Sequence, residues 1–147
     1  MRFRKSIALL LSAVMMFSSA SISASAETAT YASNDEIALL YEYANSVKSL
    51  LYISSNTAEC TSNCTGTSDI VNISVEQTLQ SFWGLWIWND VDGANWTKTS
   101  NGSYIYATNS KSGLSSGTYR VKSVFTLTSS SGKTETITIY SEEKTVS

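Results

Sequence analysis

Trp86 and Trp88, and Tyr104 and Tyr106, are two pairs of aromatic residues each spaced two apart, so in extended strands each pair projects from one face. Flat aromatic faces bury large area while keeping a polar edge, which suits them to sugar rings and to protein partner surfaces. With Tyr140 nearby, this row is the best candidate for binding chemistry in the chain. The alternative is structural: Trp86 or Trp88 is a core tryptophan, and the tyrosines are ordinary sheet residues with solvated hydroxyls.

Other chemistries are thinly represented. The 147 residues contain no histidine, which removes Ser-His-Asp and Cys-His arrangements, His-ligated zinc and the usual general base near neutral pH. Paired carboxylates of the glycosidase kind remain open by composition, with Asp90, Asp92, Glu76 and Glu135 as the candidates, but all fall at expected outward or turn positions. The chain therefore reads as a non-enzyme. Asn89, Asp90, Asp92 and Asn95 gather oxygen atoms around Gly93, yet the bidentate carboxylate that closes an EF-hand loop has no counterpart at Lys98 or Thr99. A solvated turn is the better reading, and no metal or other cofactor is assigned. Cys60 and Cys64 are a disulfide candidate if Thr61-Ser62-Asn63 turns; in an extended strand they stand about 13 Å apart, too far to bond. The Asn-x-Ser/Thr sequences at Asn63, Asn72, Asn95 and Asn101 are unremarkable in so Ser/Thr-rich a chain.

The elements that must position these residues begin with an export signal. Met1-Arg-Phe-Arg-Lys5 is a basic start, Ile7 to Phe17 an apolar run, and Ala24-Ser25-Ala26 a small-residue cleavage signature, together a signal peptide over residues 1–26. The apolar run is too short for a membrane span, which needs roughly 20 residues. Residues 27–46 read as a leader and short helix: Ser33-x-x-Glu36 has the form of a capping box, and Ile37, Leu40, Tyr41, Ala44 and Val47 recur at helical spacing.

From residue 47 to 147 the pattern is that of strands. Val71, Ile73, Val75 and Leu79 share one parity, interrupted by Gln77, which marks a bulge or an approaching edge. Phe82 to Trp88 is apolar on both parities, consistent with a doubly covered strand or an exposed aromatic row. Turn chemistry follows at Asn89 to Gly93, at Asn101-Gly102 and at Ser130 to Lys133. Tyr119, Val121, Ser123, Phe125 and Leu127 form an inward row, as do Ile137 and Ile139, while Arg120 and Lys122 point outward within reach of Glu135. The run Leu114-Ser-Ser-Gly-Thr-Tyr119 has the form of a tyrosine corner, in which a tyrosine hydroxyl bonds back to backbone a few residues upstream. The fold class expected is an all-β, immunoglobulin-like antiparallel β-sandwich of about seven strands with a short N-terminal helix.

Ala58-x-Cys60, the strand from Val71 to Leu79-Gln80, Trp86 with Trp88, Tyr119-Arg-Val-Lys122, Gly132-Lys-Thr-Glu-Thr136 and Tyr140-Ser141 resemble small secreted Firmicutes proteins grouped as a domain of unknown function. The resemblance implies export and a sandwich. It carries no catalytic residues.

Charge narrows the partners. The formal charge of −2 falls to about −5 once Arg2, Arg4 and Lys5 leave with the signal, which is a poor match to nucleic acid. There is no proline, hence no Pro-rich recognition motif and no Leu-Pro-x-Thr-Gly wall anchor. The sequence thus describes a secreted, extracellular, non-catalytic module for a glycan or protein ligand, without a membrane span. The sharper alternative is a carbohydrate-binding module using Trp86, Trp88, Tyr104 and Tyr106. Oligomeric state is not fixed by any feature of the chain.

Overall fold

The structure, a computed structural model, describes residues 41–147. The expected signal peptide and the leader up to residue 40 lie outside the described residues. Eight strands follow: β1 (Ala44–Ser54), β2 (Thr57–Gly66), β3 (Ile70–Gly84), β4 (Ile87–Asn101), β5 (Tyr104–Lys111), β6 (Gly117–Ser129), β7 (Thr134–Tyr140) and β8 (Lys144–Val146). They form a three-stranded sheet, β1-β2-β5, facing a second sheet, β4-β3-β6-β7, in which β8 also pairs with β6. Every pairing is antiparallel. The chain is an all-β, immunoglobulin-like sandwich, with the short β8 added to the seven strands expected.

The alternation in the sequence accounts for most of the core. Tyr119, Val121, Ser123, Phe125 and Leu127 are all buried, as are Ile137 and Ile139, because successive strand residues point to opposite faces. The tyrosine corner forms: the Tyr119 hydroxyl donates to the Ser115 carbonyl at 2.8 Å. Burial separates the interior into two apolar clusters. One gathers Val47, Cys64, Ile73, Val75, Ile105, Phe125 and Leu127; the other gathers Leu51, Ala58, Cys60, Leu79, Leu114, Tyr119 and Val121.

Between the clusters runs a polar seam from both sheets. Gln77 does not mark an edge; it points inward, fully buried, and its amide donates to the Ser62 hydroxyl at 2.6 Å. Asn109 donates to the Gln77 carbonyl at 2.9 Å. The Ser62 and Ser49 hydroxyls each reach the Ser123 hydroxyl, at 2.7 and 2.8 Å. Gln77, Ser62 and Ser123 are inaccessible to solvent, so an unpaired member would carry the full cost of desolvation. A slip of one sheet against the other would break these bonds together.

Several expectations are corrected. Ala44 to Ser46, the end of the leader and short helix expected over residues 27–46, belong to β1, so the sandwich starts before residue 47. The stretch from Ala44 is paired with β2, with a register shift between Ala44 and Ser46, and tertiary pairing overrides a helical spacing this short. Val71 is exposed and Ile70 takes its inward place, because a register shift at Ile70/Asn72 reverses the parity. Asn89 to Gly93 is not a turn. It lies within β4, where Val91 to Ala94 stand opposite the single residue Leu79; Gly93, at φ +69°, carries the bulge and Ala94 drops into the core.

The disulfide expected between Cys60 and Cys64 is also corrected. Thr61 to Asn63 do not turn but continue β2, every residue paired with β1. The two cysteines therefore stand four residues apart on one extended strand, about 13 Å by strand rise. Both are free, buried thiols, and burial pushes each up to about 12 from a thiol's ordinary 9.0. No helix among the described residues is long and apolar enough to cross a membrane.

Candidate binding site at one end of the sandwich

The actual hairpin turn between β3 and β4 falls inside the apolar run Phe82 to Trp88, which the sequence pattern presents as one strand. Gly84 pairs with Ile87, leaving Leu85 and Trp86 as a two-residue connection. Both have positive φ, +51° and +65°, following Gly84 at +108°. Two-residue connections of this hand match the twist of the flanking strands but demand left-handed backbone at both positions, which is why Asn-Gly usually occupies them. Large apolar L residues there cost roughly 1–2 kcal/mol each.

The turn tips a ribbon that runs on past its pairing with β6. The last rung between β3 and β6 is Ser81 with Tyr119, so Phe82, Trp83 and Gly84 continue for about 10 Å at 3.3 Å per residue without a β6 partner, while β6 itself continues to Gly117 paired with β8. The side chains there are open to solvent: Trp86 is 89 % exposed, Leu85 78 % and Trp83 71 %, with Phe82 and Ile87 also exposed. From Ser81 to Asn89 no side chain is charged. Scattered exposed apolar residues are ordinary, but a contiguous apolar projection is not.

The base of the ribbon is built the opposite way. Phe82 and Trp88 are cross-strand partners with ring centroids 5.2 Å apart, tilted at 55°. The Arg120 guanidinium carbon lies 4.1 Å from the Trp88 centroid and 4.0 Å from that of Tyr140, a cation layered between two rings. Its Nε–H donates to the Gln80 carbonyl at 3.0 Å, and the Gln80 amide donates to Asp90 at 2.9 Å. This ladder crosses β4, β3, β6 and β7 on the outer face. Arg120 lies on the outer face, as its strand position implied, but the ladder leaves it only 7 % exposed. Glu135, its expected neighbour, instead accepts the backbone N–H groups of Glu42 and Tyr43.

The four aromatic candidates do not converge. Trp86 is at the tip and Trp88 lies half-buried at its base, on the outer face of the larger sheet. Tyr104 and Tyr106 are exposed on β5 of the other sheet, beside Thr65 and Asn63, near the opposite end of the molecule. Neither Trp86 nor Trp88 is a core tryptophan. Of the carboxylates, Glu76 and Asp90 sit on rungs four β3 residues apart, roughly 13 Å, beyond the roughly 5–9.5 Å at which glycosidase pairs work.

The residues that the sequence reading left out of the site are Phe82, Trp83, Leu85 and Ile87. Their signal was Gly84 interrupting a two-sided apolar run, a mark of a turn or bulge. The same end also holds the β1–β2 turn, the β5–β6 loop and an open cleft of about 620 Å³ bordered by Ile53, Asn56, Leu114 and Val146, with no ionisable side chain in its lining.

No protein-family model matches the chain, and no curated protein does. Among solved structures it is similar to wild-type OgpA from Akkermansia muciniphila, at 8 % identity and a TM-score of 0.36, over 73 % of this chain and 31 % of that one. It is similar also to Spo0M, a sporulation control protein from Bacillus subtilis, at 11 % identity and a TM-score of 0.30, over 68 % of this chain and 47 % of that one. The chain spans less than half the length of either.

Proposed function

We propose that this chain is an exported, non-catalytic binding module whose binding element is the tip of the β3–β4 hairpin. The observation that carries the reading is the conjunction at Leu85 and Trp86 of high exposure with unfavourable backbone. A residue left this open to solvent that also strains its own backbone adds little to the fold; strain of this kind persists where function maintains it. Export is supported by the basic, apolar and Ala-x-Ala succession over residues 1–26. The resemblance to small secreted Firmicutes proteins supports the same placement.

The platform of Trp86, Trp88, Tyr104 and Tyr106 is not favoured, since its halves belong to different sheets. The test is a comparison of two double variants against a glycan array, lipid vesicles and self-association by sedimentation. Leu85→Ser/Trp86→Ser removes the binding that the chain shows; Tyr104→Ala/Tyr106→Ala retains it. The opposite pattern would restore the tyrosine face as the site.

A further inference from the structure

Resting on that reading of the hairpin tip, we infer that its ligand is the interfacial zone of a zwitterionic lipid bilayer, into which the tip inserts without crossing. The first argument is shape. Phe82 and Trp83 alternate across the ribbon, Leu85 and Trp86 cap it, and Ile87 begins the return strand, so apolar side chains occupy both faces and the end. A flat partner surface covers one face of a ribbon. A fluid apolar medium covers both faces and the tip together.

The second argument is depth. The ribbon past its last rung with β6, Ser81–Tyr119, is about 10 Å long, on the scale of the roughly 5–10 Å to which interfacial elements enter the headgroup and acyl boundary. Polar groups begin abruptly at its base, with Ser81, Asn89 and the hydrogen-bonded Gln80 and Asp90. The amphipathicity thus runs along the ribbon axis, apolar at the tip and polar at the root. Tryptophan dominates the apolar part, and its indole prefers this boundary, where the ring is in hydrocarbon and the N–H is wet.

The third argument is charge. The tip is uncharged, and its base carries both signs in Asp90 and Arg120. The form from Glu27 loses Arg2, Arg4 and Lys5 and carries 7 basic against 12 acidic residues, a formal charge of −5, so attraction to anionic lipid does not drive the contact. Zwitterionic lipid is the complementary surface.

All four tryptophans, Trp83, Trp86, Trp88 and Trp96, lie in this hairpin, so intrinsic fluorescence reads it directly. The experiment mixes the full chain with phosphatidylcholine vesicles whose acyl chains carry bromine either near the headgroup or near the methyl end. The expected result is a blue shift with stronger quenching by the shallow bromine, and at least a tenfold weaker partition for Leu85→Ser/Trp86→Ser with its circular dichroism unchanged. The form beginning at Glu27 gives the same ratio, which separates the tip from the apolar run Ile7 to Phe17. No quenching in the form from Glu27, or partition unchanged by the tip substitutions, overturns the inference. If vesicles are ignored while a glycan or self-association is lost on the same substitutions, the lipid inference fails and the tip remains the binding element. If some binding persists undiminished in the tip variant, both readings fail.

Discussion

The β3–β4 hairpin turn and the β4–β5 connection, which crosses to the other sheet, lie at opposite ends of one strand, and they are made of opposite materials. The β4–β5 turn follows Asn101 with Gly102 at φ +130°, whose N–H bonds the Val71 carbonyl at 2.7 Å while the Ser103 carbonyl accepts from Gly66 at 2.7 Å. It uses the residue best suited to its backbone and is tied into the sandwich. The β3–β4 turn asks comparable left-handed backbone of Leu85 and Trp86 and leaves both side chains in solvent. One turn is chosen for the fold; the other keeps a sequence the fold would not choose. Substitution separates the two kinds of residue experimentally.

The largest effect should come from the scaffold beneath the tip. Tyr119→Ala, which opens a cavity in the second apolar cluster and removes the corner bond, should cost about 3–5 kcal/mol in urea unfolding, against about 1 kcal/mol for Tyr119→Phe. Near-equal small losses would mean that the corner does not anchor this end. Gln77→Leu takes the acceptor from Asn109 and one of two partners from Ser62, and should cost about 1–3 kcal/mol although it adds apolar volume; a stabilised variant would show that the polar seam does not set the register. Gly102→Ala should lose about 1–3 kcal/mol from backbone strain alone, since a Cβ there meets nothing within 4 Å. The mildest expectation is chemical. Cys60 and Cys64 should resist thiol reagents in the native state and both react after unfolding, where a disulfide would leave none to react. Because each folded thiol is raised from 9.0 to about 12, their contribution to stability is complete below 9.0 and is lost as pH climbs toward 12.

The sandwich was legible because burial writes a period of two into strands such as Tyr119 to Leu127, and because the corner has a local signature at Leu114 to Tyr119. Legibility failed where pairing, not periodicity, decides. Asp92-Gly93 is ordinary turn chemistry, yet cross-strand pairing on either side of Leu79 converts it to a bulge. Gln77 and Ser123 look like interruptions of an apolar row, and only the opposing sheet supplies the hydroxyls and amide that satisfy them. The tip was hidden by its own composition. An apolar two-residue turn breaks the association of turns with Gly, Asn and Asp, so Phe82 to Trp88 read as a strand, and the aromatic row drawn from it joined residues of two sheets.

The central claim is that Leu85 and Trp86 are kept for a partner at the expense of the fold. The most direct test is the unfolding free energy of Leu85→Asn/Trp86→Gly, which installs the connection that this backbone prefers. The account predicts a gain of about 1 kcal/mol or more over the unaltered chain. A loss of stability would show that the tip residues hold the hairpin together, and would contradict it.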